Sequence, residues 1–466
     1  MILQELFFQL HDELMKRYTR RILVVLFCCG FADAAVAQQY NIFHTKLENG
    51  LEVIAIENSI VPLATIEMAV RNGAFTEPPE YDGLSHLYEH MFFKANARYP
   101  DQESFLTRTG ELGIAWNAQT REEVVNYYFT LPKNEVRQGL EFMNDAIRTP
   151  LFLEEELARE AAVVMGEYDR QESNPIFHLL TAVNKKVWHK YYSHKNVIGD
   201  RQVIAAADRE KMRTIQQRYY VPNNAALLVA GDIKHEKIFK WVKKIFGSWR
   251  RGDEPFVSYP APDHPPLPQS ELVIVEKPVN AVTIEIVMHG PSVSKDPQAT
   301  YAADVFSYIL RQPNSKFYQT LVDSGLLTEL GFNYYTLDKT GPITFLAQTS
   351  AEKYHAAVPA IFAQIEKFTR ADYYTDEQLE NAKHQLAINE TYSQERPSEF
   401  AHVVGFWWSV AGLDYYLNYV DNLRQVTRDD INAYVRRYIQ NAPYVMGVLV
   451  SPEDRKKLGL EEGKPL

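Results

Sequence analysis

The chain has 466 residues, which is enough for two or more domains with full hydrophobic cores. Its 60 acidic and 49 basic side chains give a formal net charge of −11, and no basic run interleaved with aromatic residues suggests nucleic-acid binding. Both cysteines, Cys28 and Cys29, fall within the first forty residues, so the remaining sequence excludes disulfides and thiol catalysis.

Residues 1–37 have the three parts of a signal peptide. A basic segment at 16–21 precedes an apolar run at 22–31, and an Ala-Val-Ala sequence at 35–37 is typical of a cleavage site. Met15 would begin a more typical signal peptide than the first methionine does. Because ten apolar residues are too few for a stable membrane anchor, we predict export to a bacterial periplasm or the exterior.

After the leader, strand and helix patterns are mixed. Two apolar-polar alternations surround Asn49-Gly50, which predicts a β-hairpin, and a strand pattern follows at 64–70. Further strands are predicted within 117–131, and helices on either side of Pro150. This mixture predicts an α+β fold in which a mixed or antiparallel sheet packs on helices, an αβ sandwich.

The sequence His86-Leu87-Tyr88-Glu89-His90 carries the strongest chemical signal. In a helix, the two histidines lie one turn apart on one face, with the glutamate beside them. Two imidazoles at this spacing can bind one Zn²⁺ and leave the glutamate free to hold a water, which is the H-x-x-E-H signature. Such a site requires a third protein ligand from elsewhere in the chain.

The best source of that ligand is a later predicted helix, in which apolar residues recur at Leu157, Ala161 and Val164. Glu160 and Glu167 are two helical turns apart, so they share a face of this helix beside apolar positions. A half-buried carboxylate costs free energy unless a positive charge compensates it, and a metal ion would do so. The alternative is two exposed glutamates on a solvated helix face.

Taken together, these stretches resemble the pitrilysin, insulysin and mitochondrial processing peptidase family of zinc metallopeptidases. The resemblance rests on the HLYEH motif, on the spacing between His90 and Glu167, on GAFTE at 73–77, and on GIAWNAQT at 113–120. VPNNAALLVAGD, at 221–232, resembles the strand that closes the family's first domain. The resemblance covers nearly all of the chain beyond the leader.

This resemblance implies a role for each candidate residue. His86, His90 and Glu167 would bind one Zn²⁺ per chain, and the fourth position would be left to water. Glu89 would act as general base and then as proton donor to the leaving amine. Glu160 would orient a ligand or the helix that carries Glu167.

The resemblance also implies how a substrate binds. Asn117 and Ala118 would lie on an edge strand that pairs with the backbone of a peptide or an unfolded segment inside a closed chamber. The predicted function is therefore that of a zinc metalloendopeptidase. Two alternatives remain open: a non-catalytic assembly or binding subunit of the same family, and a protein that binds metal alone.

A proline-rich segment at 252–269 divides the chain and predicts an extended, non-helical linker. It separates an N-terminal zinc-binding peptidase domain at 38–251 from a C-terminal domain at 270–466. Two sequence echoes, 64–68 with 282–286 and 220–223 with 438–441, are separated by the same distance along the chain. A shared offset predicts a tandem duplication, and hence two homologous domains.

The second copy lacks every candidate ligand. At the offset of the echoes, Asp304, Ser307 and Tyr308 replace His86, Glu89 and His90, respectively. When Leu379 is aligned with Leu157, Ala382 and Asn389 replace Glu160 and Glu167. None of these replacements forms a plausible zinc site.

Two further features bear on partners and metals. Family members active as one chain usually carry an arginine and a tyrosine in the second half, yet no arginine lies between Arg311 and Arg370. We therefore expect activity to depend on a related peptidase-family subunit, in a homodimer or heterodimer. The spacing of His189 and His194 does not suit one helical face, so packing is favoured over a second metal site.

Overall fold

The computed structural model describes residues 41–463, so the predicted signal peptide lies outside the described residues. The first half of the chain forms a six-stranded sheet. Its strands lie in the order first, second, sixth, third, fifth, fourth; only the second and sixth are parallel. They are β1 (Ile42–Lys46), β2 (Glu52–Glu57), β3 (Leu63–Val70), β4 (Ala115–Thr120), β5 (Val125–Pro132) and β6 (Ala225–Gly231).

The second half repeats this sheet without the β1 strand. Its strands follow the order β7-β11-β8-β10-β9, which matches β2-β6-β3-β5-β4 strand for strand, and β7 and β11 are again the parallel pair. The α+β prediction and the tandem repeat are thereby confirmed. The strands are β7 (Glu271–Glu276), β8 (Val282–His289), β9 (Glu329–Tyr334), β10 (Pro342–Thr349) and β11 (Tyr444–Val450).

Helices cover both sheets. In the first half they are α1 (Leu84–Phe92), α2 (Gln102–Glu111), α3 (Val136–Arg148), α4 (Glu154–Glu172), α5 (Pro175–Val187), α6 (Arg201–Ala205), α7 (Arg209–Tyr219) and α8 (His235–Phe246). In the second half they are α9 (Pro255–Ser258), α10 (Pro297–Arg311), α11 (Lys316–Tyr318), α12 (Tyr354–Ile365), α13 (Asp376–Ser393), α14 (Pro397–Val410), α15 (Leu413–Leu417), α16 (Tyr419–Gln425), α17 (Arg428–Val435) and α18 (Pro452–Leu458).

Two features fix α1, which carries the H-x-x-E-H motif. Its apolar face, with Leu87 and Met91, is buried in the core of the first sheet. The helix begins after Gly83, whose φ of +90° suits glycine, and the buried Glu77 carboxylate accepts the N–H groups of Gly83 and Ser85 at 2.8 and 2.6 Å. A carboxylate at a helix N-terminus satisfies backbone donors that have no partner within the helix.

One helix from each half packs against the sheet of the other half. From the first half, α5 packs Leu179 and Val183 against Val445 and Leu449 of β11. In return, α14 of the second half lies on the first sheet, so close that a methyl group on Gly405 would come within 2.7 Å of a Glu67 carboxylate oxygen. This reciprocal packing joins the halves through apolar and polar contacts.

The prediction that the segment at 252–269 is entirely extended and non-helical is wrong, because this segment contains the helical turn α9. Pro255 occupies the first helical position, where a proline costs no hydrogen bond. The domain boundaries at 251 and 270 stay a prediction. Among residues 41–463, none of the helices has the length and apolar character needed to cross a membrane.

Candidate metal centre

Three side chains from two helices meet at one point. His86 and His90 extend from α1, and Glu167 extends from α4, which packs beside it. Oε2 of Glu167 lies 3.6 Å from Nε2 of His86 and 3.9 Å from Nε2 of His90. These separations are too long for hydrogen bonds, yet they approach the roughly 3.4 Å that separates ligands of a tetrahedral zinc ion.

The donor set fits a zinc ion. One nitrogen or oxygen from each of the three side chains lies within 4.8 Å of the others. Two imidazoles and a carboxylate are ligands that zinc prefers, and a three-ligand set leaves one coordination position open. The sequence prediction that these three residues come together therefore agrees with their positions in the fold.

A second layer of contacts holds His90. Its Nδ1 lies 3.1 Å from Oε2 of Glu160, and Nζ of the buried Lys94 lies 2.7 Å from the other oxygen of that carboxylate. Nδ1–H therefore donates to Glu160, which leaves Nε2 directed at Glu167. Lys94, which lies one turn after His90, had no assigned role in the sequence analysis; its i,i+4 spacing was the available signal.

His86 is oriented differently. Within residues 41–463, its buried Nδ1 has no hydrogen-bond partner. The ring instead packs edge-on against the His90 ring, with centroids 4.9 Å apart and an interplanar angle of 84°. Packing rather than hydrogen bonding thus holds this imidazole.

Glu89 lies beside the three ligands and is held by β4. Oγ1 of Thr120 donates a 2.6 Å hydrogen bond to Oε2 of Glu89. Thr120 belongs to the GIAWNAQT stretch but had no assigned role in the sequence analysis. The contact joins two segments that are distant in the chain, which local sequence patterns do not reveal.

The electrostatic environment separates the roles of these groups. Burial, reinforced by the charge of His90, lowers the pKa of His86 to about 4, so this imidazole is neutral as a metal ligand must be. Burial raises the pKa of Glu89 and outweighs the opposing Thr120 hydrogen bond. Burial also raises the pKa of Glu160, but hydrogen bonds to His90 and Lys94 outweigh it and leave that pKa below its ordinary value.

The predicted substrate-binding residues lie on an exposed edge strand. β4 is the last strand of the first sheet, and the side chains of Trp116 and Asn117 are exposed. The N–H of Ala118 donates to Oδ1 of Asn117 at 2.9 Å, so a neighbouring side chain occupies this donor. The last residue of this strand, Thr120, is the one that bonds to Glu89.

A cleft of about 450 Å³ opens beside the ligands and is lined by His86, Glu89, Glu167 and the apolar residues Phe177 and Leu180. A larger cavity of about 720 Å³ lies elsewhere and is lined by Arg71, Glu123, Lys339 and Tyr415, among others. It contains none of the three ligands, so donor chemistry rather than cavity size identifies the site.

The second half preserves the position of the site without its chemistry. Nδ2 of Asn389 donates a 2.7 Å hydrogen bond to the hydroxyl of Tyr308. These residues stand where Glu167 and His90 stand in the first half, so the duplicated helices meet in the same way. A direct hydrogen bond replaces the gap that separates the ligands.

His189 and His194 do not form a second metal site. The His189 ring packs against His264, and His194 stacks on Tyr191. Within the described residues, the second group with suitable donors is Glu57, His235 and Glu236. There Lys234 and the ring and backbone of His235 already bond to Glu57, which explains the cluster without a metal.

Comparisons with known proteins identify the family to which the chain belongs. A family model described as insulinase, peptidase family M16, matches residues 52–201, which include the three proposed ligands as well as Glu89 and Glu160. A second model, described as peptidase M16 inactive domain, matches residues 206–386. A protein of Rickettsia felis described as an uncharacterized zinc protease is 24% identical over 382 residues, covering 79% of this chain and 87% of that protein.

Solved structures share the fold. A protease from Helicobacter pylori superposes with a TM-score of 0.79 at 21% identity, covering 88% of this chain and all of that one. The periplasmic protease PqqL of Escherichia coli superposes with a TM-score of 0.71 at 16% identity, covering 91% of this chain and 49% of that one. The resemblance drawn from the motifs is confirmed: the chain belongs to the insulinase family of peptidases, family M16.

Proposed function

We propose that the protein is a zinc metalloendopeptidase in which His86, His90 and Glu167 hold one zinc ion. The observation that supports this most strongly is the convergence of the three donors beside Glu89. When bound there, zinc supplies Lewis-acid chemistry, lowering the pKa of a water and polarising a carbonyl.

In this proposal Glu89 is the proton carrier. Its carboxylate takes a proton from the attacking water and delivers it to the amine of the cleaved bond. The raised pKa of Glu89 suits both tasks, because a carboxylate with a higher pKa accepts a proton more readily and can still release it to the amine. Glu160 and Lys94 keep the His90 ring in one orientation while this happens.

The substrate would be an extended peptide or unfolded segment paired with β4. The free edge of β4 can accept another strand, and a substrate carbonyl would replace Oδ1 of Asn117 at the Ala118 N–H. An extended chain is required because only an unpaired backbone can add to a sheet edge. Enclosure of the substrate in a chamber is part of the same proposal.

We also propose a related partner subunit and a periplasmic location. The fold spans about half of the E. coli periplasmic protease PqqL, which supports pairing with a second unit of the same kind. The leader sequence at 1–37 supports export. Size measurement and turnover of the purified chain, alone and mixed with a candidate subunit, test the dependence on a partner.

A non-catalytic subunit is the second candidate, favoured by the description of the family model that matches residues 206–386. That match begins after the metal centre and so does not include it. Glu89→Gln discriminates between the candidates. It keeps zinc but removes the base, so we expect peptide hydrolysis to fall by about 10²- to 10⁴-fold. Zinc-loaded wild-type protein that cleaves no peptide, alone or with a partner, would contradict the catalytic proposal.

A further inference from the structure

A hydrogen bond from a side chain connects the proposed substrate-binding strand to the general base. Thr120 is the last residue of β4, and its hydroxyl donates to Oε2 of Glu89 at 2.6 Å. Both side chains are half-buried, so the hydrogen bond is partly shielded from water. Its acceptor is a carboxylate, which makes it stronger than a bond between neutral groups. A contact of this kind restricts the glutamate to a narrow range of orientations.

We propose that Thr120 is a positioning residue that fixes the Glu89 carboxylate in the orientation in which it serves as the base. This inference rests on the proposed peptidase function. A glutamate side chain has three rotatable bonds, and only some rotamers direct an oxygen toward the space between His86 and His90. With Oε2 committed to Thr120, the other carboxylate oxygen is left to accept the proton of water.

The duplicated half argues that this contact does not serve the fold. At the offset of the sequence echoes, Ser307 stands in place of Glu89. In the register of the two sheets, Tyr334 at the end of β9 stands in place of Thr120 at the end of β4. Ser307 donates to the carbonyl of Ala303 in its own helix at 2.8 Å, and the hydroxyl of Tyr334 donates to the carbonyl of Pro291 at 3.0 Å. Helix and sheet pack in both halves, although the bond between them is found in the catalytic half.

The position of Thr120 adds a functional consequence. Ala118, whose N–H would bind a substrate carbonyl, lies two residues earlier on the same strand. The backbone that receives the peptide therefore also carries the group that aligns the base. The same strand, β4, therefore positions both the substrate and the base, and its pairing with β5 holds it in the sheet.

Thr120→Val and Thr120→Ser form a matched pair for the test. Valine keeps the β-branched shape but lacks the hydroxyl, whereas serine keeps the hydroxyl. In the zinc-loaded protein we expect Thr120→Val to lower kcat by about 10- to 100-fold with KM and zinc content unchanged. Thr120→Ser should restore most of kcat. Wild-type kcat in Thr120→Val, or an equal loss in both variants, would overturn the inference.

A second readout separates this inference from the proposed function. Crystal structures of the zinc-loaded wild type and both variants should find Glu89 in one rotamer in the wild type and Thr120→Ser, and displaced in Thr120→Val. An unchanged Glu89 in Thr120→Val would overturn the positioning role even if no variant turned over a peptide. Absence of turnover by the wild type would instead refute the peptidase assignment.

Discussion

Nδ1 of His90 lies 3.1 Å from Oε2 of Glu160, and this contact fixes which nitrogen of His90 faces Glu167. It makes the orientation of a proposed metal ligand depend on a carboxylate that is itself fixed by Lys94. The geometry of the metal centre is therefore determined by residues of two helices, α1 and α4, and by Lys94 just after α1, and each can be tested separately.

The Glu160 contact predicts weaker zinc binding when its charge is removed. Glu160→Gln keeps the size of the side chain but loses the anionic acceptor for His90, so we expect zinc affinity to fall by about 10- to 100-fold. Competition with a chromophoric chelator measures the affinity. Glu155→Gln, at an exposed position of the same helix, is the control and should leave it unchanged. Equal affinities for the wild type and Glu160→Gln would disprove the role given to Glu160.

Removal of the metal should abolish hydrolysis without unfolding the protein. The helix that carries both histidines is fixed by buried Leu87 and Met91 and by the Glu77 carboxylate, none of which is a proposed ligand. Far-UV circular dichroism should be unchanged after chelation, while the melting temperature falls because zinc binds only the folded state. Loss of the helical signal on chelation would mean that the metal, rather than the core, holds α1 in place.

Glu67 and Glu285 occupy equivalent positions in the two sheets, yet their surroundings differ. Glu67 accepts a 2.8 Å hydrogen bond from Asn126 and contacts Nδ1 of His402 on α14. Oε2 of Glu285 is buried and has no hydrogen-bond partner within the described residues. Burial raises the pKa of Glu285 to about 7 from 4.5.

This difference predicts opposite effects of two glutamine substitutions. Because the folded-state pKa of Glu285 exceeds its unfolded value, the contribution of this group to the free energy of unfolding is fully present below about pH 4.5. It is lost as the pH rises through 7. In the wild type the free energy of unfolding should fall by on the order of 3 kcal/mol between pH 4.5 and 8 because of this group, and in Glu285→Gln this fall should be absent. Glu67→Gln should instead destabilise the protein, because His402 loses its anionic acceptor. Urea unfolding at several pH values measures both, and equal pH profiles for the wild type and Glu285→Gln would contradict the prediction.

Two glycines in helices predict opposite responses to alanine. A methyl group on Gly405 would come within 2.7 Å of Glu67, which its hydrogen bonds hold in place, so Gly405→Ala should destabilise the contact between α14 and the first sheet. A methyl group on Gly166 in α4 would meet no atom within 4 Å, so Gly166→Ala should stabilise by about 1 kcal/mol. Thermal unfolding compares the two variants, and a stabilised Gly405→Ala would refute the close packing of α14.

The parts of the site that follow a helical or strand period were predictable. The spacing of His86 and His90 predicts their common face, and the alignment of the two halves predicts that Tyr308 and Asn389 occupy the positions of His90 and Glu167. Their 2.7 Å contact agrees with that alignment. Periodicity is a local property, and the fold preserves it.

Contacts between distant segments were not predictable in this way. The Thr120 bond to Glu89, the Lys94 pair with Glu160 and the reciprocal packing of α5 and α14 all depend on how elements pack, which the pattern of apolar residues does not specify. The turn at Pro255 was missed for a local reason, since proline at the first helical position permits a helix that prolines elsewhere would break.

The central claim is that His86, His90 and Glu167 jointly hold one zinc ion. Anomalous X-ray diffraction at the zinc absorption edge, on crystals of the zinc-loaded protein, tests it most directly. The account predicts a single peak at about 2.0–2.2 Å from Nε2 of both histidines and from a Glu167 oxygen. A peak at another position, or none at this one in zinc-saturated crystals, would contradict it.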